Sequence, residues 1–145
     1  MAAKLEDIAL TETPVIIDSI VAKTTPAAKK VEGAVTVAIT PKLHCKLSFI
    51  DKENKRIRAS VKLVVECKTE DNVEIIKFEY SAHTDYLSKD SVEKTEIKSK
   101  NSCYKLCFPV YQRIADRSVV ILEDMGLGKL TLPLSRVPQE FVQIK

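Results

Sequence analysis

Four cysteines and two histidines are the side chains of this sequence best equipped for chemistry. Cys103 and Cys107 stand four apart, which places two thiols on one face if the segment is helical. A structural zinc site pairs such a couple with a second one, and none follows here. Cys45 and Cys67 fall at inward-facing positions of alternating segments, where a free thiol behaves as a small hydrophobe. His44 neighbours Cys45, so on a strand the two point to opposite faces. The pattern predicts buried, reduced thiols, no metal site and no cofactor. Nucleophilic catalysis needs a nucleophile, a base and a group that orients the base. His44 and His83 are read as mid-strand residues without such a motif.

One loop invites comparison with a phosphate cradle: Met125-Gly126-Leu127-Gly128-Lys129-Leu130-Thr131. That chemistry requires G-x-x-x-x-G-K-[ST], with the hydroxyl directly after the lysine and a strand before the loop. Here Leu130 follows Lys129, Glu123 holds the first glycine position, and the segment leaves a helix rather than a strand. Its expected role is to end the helix and turn the chain. Glu123 and Asp124 then lie at a helix C-terminus, the unfavourable end for carboxylates, and are expected to be exposed. No catalytic residue is assigned, and the sequence reads as a binding protein rather than an enzyme.

The elements that would carry these residues are legible from their periodicity. Val15 to Ala22 is rich in β-branched residues and predicts a strand. Residues 33–50 predict a second, in which Leu43, Cys45, Leu47 and Phe49 alternate with polar neighbours. Ile57 to Cys67 alternates through Ala59, Val61, Leu63 and Val65, and Val73 to Leu87 through Ile76, Phe78, Tyr80 and Ala82. Polar turns at 51–55 and 68–72 separate these strands, so an antiparallel meander is expected. Residues 88–101 are almost wholly polar and read as a loop or a short exposed helix. Pro109 suits the first turn of a helix. Val110, Ile114 and Ile121, flanked by Tyr111, Ala115, Val119 and Leu122, then form a wide apolar face at helical spacing. Gly126 and Gly128 are expected to stop that helix. The expected fold is α+β: an antiparallel four-stranded sheet with a long C-terminal helix packed on one face.

Length and charge narrow the function classes. A chain of 145 residues matches one domain, expected to span 1–145, and buries roughly 70% of its unfolded surface without staples. Net charge is +3, with 23 basic and 20 acidic residues interleaved. That mixture predicts a solvated surface rather than a nucleic-acid-binding stripe. The first residues hold no apolar core of a signal peptide, and no apolar run approaches the ~18 residues of a membrane span. A soluble, cytoplasmic protein is expected.

The C-terminal third resembles the closing section of the SecB-type export chaperones. In that family a Leu-Phe-Pro-Tyr-Ala-Arg segment opens the long helix, and a glycine-rich break leads to Leu-x-Leu-x-Pro. The matching positions here are Phe108, Pro109, Ile114, Gly126, Leu130, Leu132 and Phe141. The upstream strands agree in order and approximate length. The resemblance implies a homo-oligomer, a tetramer or a dimer, that holds unfolded or partly folded polypeptides in apolar grooves without ATP. It implies client contacts at Phe78, Tyr80, Tyr86, Phe108, Tyr111, Leu130 and Leu132. It also implies subunit contacts along Val110, Ile114 and Ile121. Coupling to a SecA-type motor is not expected, because that docking uses a strongly acidic surface and this chain is slightly basic. SecB-like proteins that guard antitoxins are the nearer functional comparison. The alternative is an assembly protein that uses the same sheet to oligomerise and binds no client.

Overall fold

A computed structural model describes residues 10–24, 37–127 and 140–143. Its strands are β1 (Thr11–Glu12), β2 (Ile16–Thr24), β3 (Val37–Phe49), β4 (Arg56–Thr69), β5 (Glu74–Leu87) and β6 (Glu140–Gln143). One long helix, α1 (Lys100–Leu122), lies between β5 and β6 in the chain.

The meander β3–β4–β5 forms where the alternating pattern places it, and its two tight turns are built by side chains. In the first, the Lys55 and Arg56 amides donate to the Asp51 carboxylate at 3.0–3.1 Å. In the second, the Val73 amide donates to the Thr69 hydroxyl at 3.3 Å. Asn54 and Asn72 both adopt positive φ, 57° and 62°. Asparagine tolerates that region better than most residues with a Cβ.

Sheet order is β2–β5–β4–β3, antiparallel throughout, and this is the four-stranded core expected. Two additions were not foreseen. β1 continues the β2 edge beyond Pro14, pairing Thr11 and Glu12 with Leu87 and Tyr86. β6 pairs parallel to β3 over Lys42 to Cys45. Pro41, which cannot donate to a ladder, sits one residue outside that β6 pairing, as strand prolines must.

α1 lies across β3, β4 and β5 on one face of the sheet. It begins nine residues before Pro109, correcting the expected start. Ser99 caps it, its hydroxyl accepting from the Ser102 amide at 3.0 Å. Pro109 is therefore internal and withholds one helical hydrogen bond. At that point the Tyr86 hydroxyl donates to the Leu106 carbonyl at 2.7 Å, tying the proline turn to β5. The polar stretch before the helix contains only a 3-10 turn at Lys94–Ile97.

Candidate functional site

Between sheet and helix the apolar face is closed. Leu43, Cys45 and Leu47 from β3, Ile57 to Cys67 from β4 and Phe78 to Tyr86 from β5 meet Cys103, Leu106, Cys107, Val110, Tyr111, Ile114 and Leu122 of α1. Four of the residues expected to touch a client are consumed there. Phe78, Tyr80, Tyr86 and Tyr111 are at most 6% exposed, so they are core residues and not groove residues. Their strand and helix positions face the same layer, and a large aromatic gains most by burial.

Two of the three expected subunit contacts are corrected in the same way. Val110 and Ile114 are buried against this chain's own sheet. Ile121 is only partly buried, at the rim of the core. Phe108 also remains partly accessible, stacked in a tilted row between Tyr104 (5.3 Å) and Tyr111 (6.2 Å). Leu130 and Leu132 lie outside the described residues.

Among the described residues, exposed large apolar side chains lie at Ile50, Val73, Leu87 and Val120 and, three together, on β2. Ile16, Ile17 and Ile20 are 54%, 47% and 44% exposed. Among the described elements the helix lies on β3, β4 and β5, and the helix-side residues of β2 fall at its margin. By register Ile17 and Ile20 lie opposite Ala82 and Tyr80, next to the closed core, while Ile16 lies opposite His83 on the other face. Among the described residues β2 pairs on one side only, with β5. Among those residues its other side presents backbone donors and acceptors, flanked by isoleucines on both faces. Such an edge is a template for another extended chain.

A polar network holds this edge in place. A bulge between Ile17 and Ser19 re-aims Asp18 onto His83, whose Nδ1 lies 2.9 and 3.0 Å from the two carboxylate oxygens. Among the described residues no hydroxyl hydrogen-bonds to His83 Nε2. Two residues on, Asp85 is buried and ion-paired to Arg56 (2.7 Å) and Arg58 (2.9 Å). The Arg58 guanidinium, seconded by Arg56, holds the Asp85 carboxyl below its ordinary range, against the opposing effect of burial. Thr13 clamps β1 to β5 through its backbone and hydroxyl, bonded to Asp85 and Thr84.

The remaining concavity is of another kind. A cleft of about 590 Å³ lies between the β3–β4 hairpin and residues 91–95, lined by Lys52, Glu53, Lys55, Ser91, Glu93 and Lys94. Its mixed charge, with Val92 the one apolar residue in the lining, makes it a poor seat for a hydrophobic segment. The four cysteines are free and buried, as their positions predicted. No cluster among the described residues has the makings of a metal site. No helix among them is long and apolar enough to cross a membrane.

An antiparallel sheet with one long C-terminal helix across it is the SecB-like α+β fold. The chain is similar to the solved SecB-like chaperone Rv1957 of Mycobacterium tuberculosis, in complex with a ChAD peptide from the Rv1956 HigA1 antitoxin. The match covers 94% of this chain and 96% of that one, with a TM-score of 0.71 and 10% identity. A protein of unknown function from Streptococcus agalactiae also matches, over 87% of this chain and 98% of that one, with a TM-score of 0.48 and 10% identity. No protein-family model and no curated protein sequence matches the chain.

Proposed function

We propose that this protein binds non-native polypeptides without ATP, taking extended apolar segments along the open edge of β2. The observation that carries the reading is the set of exposed isoleucines, Ile17 and Ile20 on one face and Ile16 on the other, on a strand with one side unpaired among the described residues. Backbone hydrogen bonds to such an edge are indifferent to sequence, and isoleucine side chains accept many apolar partners. A holdase needs both properties. The SecB-like fold supports the reading, since the similar mycobacterial chaperone was solved with a peptide from an antitoxin. Phe108, Leu130 and Leu132 are retained as further client contacts.

A second reading rests on the same edge. Two β2 strands from two copies would continue one sheet across a symmetric interface, giving a dimer or a higher homo-oligomer that binds no client. Native mass of the pure protein, alone and mixed with a reduced unfolded polypeptide, separates the two. Client binding requires a complex with the unfolded chain that the folded form of the same chain does not make, together with suppressed aggregation. An oligomer that ignores the unfolded chain leaves only the assembly role. A monomer that never shifts removes both.

A further inference from the structure

Charge is uneven along the open edge of β2. Near one end Lys23 lies directly opposite Lys77 of β5, and both side chains are exposed. Lys77 stands between the buried Ile76 and Phe78, so the two lysines share the sheet face away from α1. Like charges directly opposite destabilise a strand pair, and the neighbouring carboxylates do not relieve this one. Glu66, across from Lys77 on β4, is engaged by Lys42 at 2.9 Å and Lys68 at 3.6 Å. Glu79, two residues along β5, is engaged by Lys62 at 3.5 Å. Glu74 lies across from Lys68 and has a contact of its own. Among the described residues Lys23 and Lys77 make no ion pair. Toward the other end of the edge the sign reverses. The Asp18 side chain is 46% exposed beside His83, and Glu12 is exposed on β1 beyond it.

We propose, on the reading of β2 as the polypeptide-binding edge, that this edge selects by charge. It takes an extended segment with apolar residues at alternate positions and an acidic residue that lands beside Lys23. A strand added to β2 sets each of its residues opposite one of β2, and its side chains alternate between faces. The residue opposite Lys23 therefore lies on the face away from α1. The residue opposite Ala22, and the one two further on, opposite Ile20, lie on the helix side. Apolar residues at those two positions extend the layer of Phe78 and Tyr80 across the edge.

An acidic residue opposite Lys23 offsets the repulsion between Lys23 and Lys77, whereas a lysine there adds a third cation. Backbone pairing is indifferent to sequence, so charge supplies discrimination that the ladder itself lacks. Asp18 gives the segment a direction, because a second carboxylate at that end meets an anion. A second copy of β2 is the poorer occupant. It brings another Lys23, and its one carboxylate, Asp18, is already engaged by His83.

The test measures binding of labelled peptides to the full chain by fluorescence anisotropy at low salt. The peptides alternate valine and threonine and carry glutamate, glutamine or lysine at either end. For at least one placement, the glutamate peptide should bind about fivefold tighter than its glutamine counterpart, the scale of an exposed ion pair, and the lysine peptide more weakly still. High salt should level the three. Lys23→Glu, at an exposed position, should reverse the order. Equal binding of all three overturns the charge selection and leaves β2 as a binding edge. A glutamate preference that survives Lys23→Glu and Lys77→Glu also overturns it, by placing the selecting cation elsewhere. Failure of every peptide to bind overturns it too, and removes the reading beneath it as well where an unfolded polypeptide also fails to bind. A dimer that excludes every peptide and is broken by Ile20→Lys gives the edge to a second copy, against the proposal.

Discussion

Two apolar stripes of this chain meet opposite fates. The α1 stripe of Val110, Ile114 and Leu122 is sealed against the sheet, whereas Ile17 and Ile20 on the helix-side face of β2 stay open to solvent. In composition they are equivalent, and β-branched residues favour a strand in either setting. The difference is reach. One helix spans about three strands at 4.8 Å spacing, and here those are β3, β4 and β5. Position in the sheet, not hydrophobicity, decides which stripe is core and which is surface. Exposed apolar rows of this kind mark interaction sites.

Substitutions sharpen that contrast, and the largest effect belongs to the closed side. Tyr111→Ala should cost about 3–5 kcal/mol in chemical denaturation, because it empties a fully buried aromatic position. A loss under about 1 kcal/mol would mean that α1 is not sealed on the sheet. Next comes the clamp beside the edge. Asp85→Asn should destabilise by about 2 kcal/mol, the worth of hydrogen bonds to a charged group, since Arg56 and Arg58 keep their positive charge against a neutral amide.

The same carboxylate makes a pH prediction. The folded protein lowers the Asp85 pKa, so its contribution to stability is complete above the unfolded value, near 3.9. It is lost as pH falls through the lower folded value. Acid unfolding of the unsubstituted protein should therefore be steeper below about pH 4 than that of Asp85→Asn. Parallel curves would contradict the pairing.

Smaller still, Tyr86→Phe removes the hydroxyl that donates to the Leu106 carbonyl and should cost about 1 kcal/mol, read by thermal unfolding. The smallest effect on stability is expected at the open stripe. Ile20→Lys should shift unfolding by no more than about 0.5 kcal/mol. Yet it should abolish most suppression of client aggregation, or most self-association under the assembly reading. If Ile20→Lys leaves both unchanged, the β2 edge is not the functional surface.

Much of the fold could be read before any coordinates, because strand alternation and turn chemistry are local. Leu43 to Phe49 and Ile57 to Cys67 show their buried side at every second residue, and Asp51, Asn54 and Asn72 stand where turns demand them. The start of α1 was misread for a local reason as well. Proline is best tolerated in a first turn, so Pro109 drew the boundary to itself, whereas the helix is capped by Ser99.

The site was the less legible part. Large aromatics suggest a binding groove, but Phe78, Tyr80, Tyr86 and Tyr111 all point into the layer that α1 closes. The exposed isoleucines of β2 look like any other strand in sequence.

The sequence alone therefore determined the four strands of the central sheet, the presence of the long helix, the inward face of each long strand and the burial of the four thiols, since these follow from period, turn residues and hydrophobicity. Only the tertiary structure decided that β2 crosses to the far side of β5, beyond the reach of α1. It alone brought Asp18 to His83. Periodicity says which way a side chain faces. What covers it depends on pairings between residues far apart in the chain, and no local pattern encodes them.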